Sequence, residues 1–226
     1  YLHAMAFGEM TVMTADSLWQ KEENPRKAAL AGAVFHAAQP VLWNPATAAV
    51  KANFSVDPPK IRCPYDRFHQ QQMLAFFAGR LADCFGDEFA YGDTHVRTPV
   101  IERGAAISLQ QVTSFRPQGG PWRRGYLCAE MSLPKERLVA KGSAIADTWM
   151  LEGCLQAMSF YMTALGYTLD HDGWRFEFIG EAAGQKRLAL PGPLPLKRLQ
   201  YEVFVEEVPS DPRPTLYAAV LVSAEG

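Results

Sequence analysis

Residues 148–166 read TWMLEGCLQAMSFYMTALG, an almost unbroken apolar run that carries one acid, Glu152, and one amide, Gln156. The two polar residues are four apart, which in a helix stacks them on one face. A helix that is apolar all round has no solvent side, so the rest of the fold or a membrane has to enclose it. No other segment limits the possible folds as much. Glu152 and Gln156 argue against a membrane span, which takes about twenty predominantly apolar residues. An acid in such a setting is paired, held protonated or used chemically.

The segments around this helix read as strands. AAISLQQVTSFRP alternates through Ile107, Leu109 and Val112, and WRRGYLCAEMSLP alternates through Tyr126, Cys128 and Met131, with GGP between them. That pattern predicts a β-hairpin. The helix is expected from about Asp147 to Leu165, with Gly166 at its C-terminal cap. Three strand-like runs follow: GWRFEFIGEA, RLQYEVFVEEV and PTLYAAVLVSAE. In the middle one, Tyr201, Val203 and Val205 fall on one face, and Glu202, Phe204 and Glu206 on the other. A hairpin, a wholly apolar helix and a run of antiparallel strands make an α+β fold in which a curled sheet wraps the helix. This architecture is called a hot dog.

Upstream, CPYDRFHQQQMLAFFAGRLADCFG reads as a helical unit. Asp66 is a candidate N-cap, Met73, Phe76, Phe77 and Leu81 follow helical spacing, and Gly86 is the stop. The first 62 residues open as a short strand and pass into an Ala-, Pro- and Asn-rich connection, with short strands expected near Val34 and Val41. The expected division is therefore a tail and linker over 1–62 and the hot dog with its leading helix over 63–226.

Composition narrows the function. The 226 residues carry a net charge of −2, so no global field favours nucleic acid or an anionic membrane surface. Cys63, Cys84, Cys128 and Cys154 are scattered, with no C-x-x-C pair and no histidine at ligand spacing, which excludes the usual zinc patterns and a disulfide framework. They read as small hydrophobes in a reduced, cytoplasmic protein, and no metal site or bound cofactor is expected. Among the histidines, His69 lies on the polar side of its helix, His95 has a structural or surface role and His171 is a solvated turn residue. His3 and His36 fall in the N-terminal region. Gly119 and Gly120 form a turn and not a phosphate loop. Trp122, Arg123 and Arg124 suit either an exposed basic edge strand or contact with an anionic carrier.

MLEGCLQAMSFYMTALGYTLDHDGWRFEF closely resembles the dehydratase domains of polyunsaturated fatty acid synthases and iterative polyketide synthases. Those domains are in turn similar to the bacterial 3-hydroxydecanoyl-ACP dehydratase/isomerase. KRLQYEVFVEEV and PTLYAAVLVSAEG resemble the closing strands of that family, and PYDRFHQQQMLAFFAGRLADCFGDEF resembles its linker helix. The resemblance covers about residues 63–226; the first stretch, YLHAMAFGEMTVM, resembles the end of an upstream hot dog more weakly. It implies dehydration of a 3-hydroxyacyl thioester to an enoyl thioester, the substrate being carried on the phosphopantetheine of acyl carrier protein. On this pattern Glu152 matches the acid and Gln156 the amide that orients it. Burial among apolar residues would keep Glu152 protonated and able to donate. Backbone N–H groups of the helix start, at Met150, Leu151 and Gly153, would receive the thioester carbonyl. The partners implied are acyl carrier protein and a neighbouring hot dog, as a double hot dog or homodimer.

The chain departs from that family at the base. The family carries a histidine fourteen residues before the acid, in a His-Phe-x-x-Asp-Pro-x-Met-Pro-Gly stretch; here the position is Leu138, within PKERLVAKGSAIADTWMLEG. Three explanations stay open: a non-catalytic dehydratase-like module, a base donated by an upstream hot dog, or residues missing near Gly142. A hot-dog thioesterase that activates water is a further alternative.

Overall fold

The computed structural model describes residues 2–13, 34–36, 56–99, 109–133, 144–179, 198–211 and 213–225. The run expected to form a helix does so from Ala144 to Ala164 (α4), starting three residues before Asp147. Its end is where the sequence places it. Gly166 adopts φ +81°, its N–H donates to the Thr163 carbonyl and the Tyr167 N–H donates to the Met162 carbonyl. These two bonds form a Schellman cap, which needs a residue that tolerates left-handed backbone at this point. No helix among the described residues is long and apolar enough to cross a membrane.

The strands form one antiparallel sheet. Those following the helix cap are β5 (Arg175–Ile179), β6 (Arg198–Glu207) and β7 (Thr215–Glu225); the hairpin before the helix is β3 (Gln111–Arg116) and β4 (Tyr126–Ser132). Near the N-terminus lie β1 (Leu2–Met13) and β2 (Val34–His36). The order is β2-β1-β7-β6-β4-β3, and β5 also pairs with β1. β1 thus lies in the same sheet as the closing strands, in register with β7 from Leu2↔Ala224 to Thr11↔Thr215. The expected strand near Val41 lies outside the described residues.

Helix α4 packs against β1, β4, β6 and β7. Tyr201, Val203 and Val205 of β6 and Leu216, Ala218, Val220 and Val222 of β7 join Ala157, Met158 and Tyr161 of α4 in one core. This is the alternation expected of a sheet with one face on the helix. The expected solvent face of β6 is not wholly polar, because Phe204 is buried against Tyr126 and Trp122.

The leading helical unit breaks into α1 (Gln70–Phe77), α2 (Leu81–Phe85), a single 3₁₀ turn and α3 (Ala90–Asp93). Asp66 does not cap α1. Its carbonyl accepts the Phe115 N–H at 2.7 Å, and Phe68 pairs with Val112 in both directions at 2.9 Å. Residues 66–68 therefore run along the free edge of β3, and the N-cap falls to His69. The carboxylate that serves as a helix cap is instead Asp93, which accepts the N–H groups of Leu81 and Ala82 at the start of α2.

The helices reach the core through aromatic rings. Phe160 of α4 meets Phe68 at 4.8 Å and Phe76 and Phe85 at 5.1 Å between centroids, and all four are fully buried. The Phe68 and Phe76 contacts are edge-to-face and the Phe85 contact is tilted, and such pairs add to the area they bury. Phe160→Ala empties the centre of the cluster and should cost about 4 kcal/mol in urea unfolding; a loss under about 1 kcal/mol would show that the cluster is not a single packed unit.

Candidate active site

From residue 152 to residue 169 every residue is buried except Glu152 and Leu155, which keep partial exposure. Three residues apart, they share a helix face. The acid therefore sits at the one opening in the wrapping around this part of α4.

Gln156 is fully buried and both ends of its amide are used. Its Oε1 accepts the Leu109 backbone N–H at 2.9 Å, and its Nε2 donates toward Glu152 Oε1 at a long 3.5 Å. Because the oxygen is taken by a backbone donor, the amide cannot flip, and its NH₂ is held toward the acid. The sequence shows that Glu152 and Gln156 share a helix face but does not reveal what anchors the amide. That anchor is a main-chain group just before β3, which has no signature in residue type.

Gly153 allows close contact with the sheet. A Cβ there would come within 2.4 Å of three atoms of the Tyr201 side chain, so the absence of a side chain at 153 lets Tyr201 of β6 pack directly on the α4 backbone. Tyr201 is fully buried and its hydroxyl donates to Met131 Sδ at 3.6 Å. Burial raises the Tyr201 pKa well above the ordinary phenol range, reinforced by the nearby Cys154 and Glu152. Gly153, expected to bind substrate, thus has a packing role.

The helix start corrects the expected donors. With α4 beginning at Ala144, Met150 and Leu151 fall in its second turn, where N–H groups bond to carbonyls four residues back.

The described histidines other than those in the N-terminal strands lie elsewhere. His95 Nε2 bonds the Leu169 carbonyl at 2.8 Å beyond the far end of α4, a structural role as expected. His171 packs edge-on against Trp174 and is half-buried, not solvated, and burial lowers its pKa. Twelve helical residues separate Glu152 from Ala164, roughly 18 Å at 1.5 Å per residue, so both histidines are remote from the acid. His69 is exposed at the start of α1. His3 and His36 are in register with Ser223 and Met5. Ser223 alternates with the core residues Val220 and Val222 and so lies on the sheet face turned away from α4. Leu138, the position where the resemblance expects the base, is outside the described residues.

No group of three or more His, Cys, Asp or Glu that could hold a metal occurs among the described residues. The cysteines behave as small apolar side chains. Cys84 and Cys154 are buried and their thiols are pushed far up by desolvation. Cys63, partly exposed, is pushed up to about 11, mainly by burial and also by Glu88, against a lowering backbone bond from Tyr65.

The sequence profile of the FabA-like domain matches residues 106–226, more than half of the chain. This chain belongs to the FabA-like family. The family comprises dehydratases and isomerases of the hot-dog fold, which agrees with the antiparallel sheet packed on α4. The FabA-like segment contains Leu109, Glu152, Gln156 and Tyr201, so every group of the site described above lies within it. Strands β1 and β2 and helices α1–α3 lie before it. No curated protein matches the chain.

Gln156→Leu leaves the buried Leu109 N–H without its acceptor and should destabilise the fold by about 2 kcal/mol in denaturant melts. Glu152→Gln, at a partly exposed position, should change stability by less than about 0.5 kcal/mol. Equal effects for the two would mean that the amide does not anchor the site.

Proposed function

We propose that this FabA-like domain removes water from a 3-hydroxyacyl thioester carried on acyl carrier protein, as a dehydratase unit of a cytoplasmic multidomain fatty acid or polyketide synthase. The observation that carries this reading is the Glu152–Gln156 pair, a partly exposed acid beside a buried amide that is fixed to a backbone N–H.

The chemistry follows from what the reaction requires. A base takes the α-proton, electron density moves onto the thioester oxygen, and the C3–O bond breaks as the hydroxyl is protonated and leaves as water. Glu152 is placed to give that proton. Gln156 holds the carboxyl in position, which is a positioning role. On this reading, backbone N–H groups at the start of α4 would take the developing charge on the thioester oxygen. No cofactor is needed, since the step is a proton transfer with loss of water.

The base would come from a neighbouring hot dog, in a double hot dog or homodimer. A second reading, a dehydratase-like module kept for assembly, draws on the remoteness of His95 and His171 from Glu152. Intact-protein mass spectrometry on a 3-hydroxyacyl carrier protein separates them. Wild type should exchange the hydroxyacyl and enoyl forms, an 18 Da step set by the mass of water, and Glu152→Gln should slow it by about 10²–10⁴-fold. A folded wild type that leaves the substrate mass unchanged would support the assembly role and overturn the catalytic one.

A further inference from the structure

Two clefts meet where the linker crosses the β3–β4 turn. The larger, about 860 Å³, is walled by Pro59, Ile61, Pro64, Tyr65, Pro117 and Leu165, and Arg62, Arg116 and Asp66 also line it. The smaller, about 730 Å³, adds Arg123, Arg124 and Asp57 and shares Pro59, Pro117 and Gln118 with the first. Each volume is in the range of small-molecule sites, roughly 300–1,000 Å³. Leu165 lies past the C-terminal end of α4, so the clefts are roughly 18 Å along the helix from Glu152.

The charges here are unbalanced, although the chain as a whole is slightly acidic. Lys60, Arg80 and Arg198 each have a carboxylate partner. Arg62, Arg116 and Arg123 are exposed and make no ion pair among the described residues. Of the two carboxylates lining the clefts, Asp57 is occupied by the N–H and hydroxyl of Ser210. Arg124 donates to the Glu206 carbonyl at 3.1 Å. Four arginines therefore line the adjoining clefts, Arg62 and Arg116 the larger and Arg123 and Arg124 the smaller, against the two carboxylates of Asp57 and Asp66.

The backbone adds an independent sign. Arg123 has φ +55° and is the one non-glycine residue with positive φ among the described residues. Arginine has no intrinsic preference for left-handed backbone, and Asn or Gly would suit this turn better. Strain of this kind tends to persist where the side chain is needed. The trio Trp122, Arg123 and Arg124 is thus a turn, not the basic edge strand expected from the sequence.

We propose that the joined clefts bind a small molecule bearing a diphosphate. Its phosphoryl oxygens are taken by Arg62, Arg116 and Arg123, and its organic part lies against Tyr65 and the prolines. A guanidinium matches a phosphate edge through two parallel hydrogen bonds, and four of them along adjoining clefts outnumber the two carboxylates that line the same space. Tyr65, 44% exposed, offers a ring face to the ligand.

Titration calorimetry on the whole chain with inorganic pyrophosphate, ADP and adenosine tests this. Pyrophosphate and ADP should bind and adenosine should not. Arg62→Gln, Arg116→Gln and Arg123→Gly should each weaken binding at least tenfold. Arg123→Gly should do so without lowering the melting temperature, because glycine accepts the φ of this turn freely. A dissociation constant for both anions weaker than ~1 mM would overturn the proposal. Binding that survives all three substitutions would also overturn it, since it would reflect scattered surface cations.

Discussion

A helix with no polar side leaves the fold one solution, which is to surround it. Once α4 is apolar over its whole circumference, the sheet has to curl against one side and the aromatic helices have to close the other. The connections then run along the helix ends, where unpaired backbone groups need partners. The core around Phe160, the alternation of β6 and β7 and the Schellman cap at Gly166 all answer this demand. Between residues 152 and 169 the wrapping is incomplete only at Glu152 and Leu155. Glu152 lies at the gap, and the Leu109 N–H turns a nearby amide into a fixed pointer.

This arrangement has a cost in freedom. Gln156 cannot rotate without losing a buried backbone bond, and Gly153 cannot carry a side chain without displacing the Tyr201 ring. The acid thus lies beside neighbours that the fold cannot readily rearrange.

Much of this was legible in the residues. Helical period, strand alternation and the Gly166 stop act through local rules, and each reads directly from residue type. The pairing of Glu152 with Gln156 was legible for the same reason, because a spacing of four is a property of the helix itself. What escaped depends on contacts distant in the chain. Asp66 has the right chemistry for an N-cap, yet residues 66–68 are drawn along the β3 edge and the cap moves to His69. Asp93 caps a helix twelve residues upstream, a relation no short window contains. The helix start lay three residues earlier than expected, and that small slip moved Met150 and Leu151 from free donors to bonded ones. His171 looked like an exposed turn residue, but Trp174 covers one side of it.

The carbonyl of Leu165 accepts the N–H groups of both Lys60 and Ile61, Tyr167 donates its hydroxyl to the Asp57 carbonyl, and Asp57 holds Ser210 of the turn between β6 and β7. Short as it is, the segment 57–61 therefore belongs physically to the domain it precedes. A recombinant boundary drawn at Cys63, where the helical pattern begins, would cut away the clasp that joins the end of α4 to the closing strands. A cut before Val56, which itself bridges to Val208, would keep the clasp but still strip β1 from its pairing with β7. A domain's edge is better placed by where its hydrogen bonds end than by where its periodicity starts.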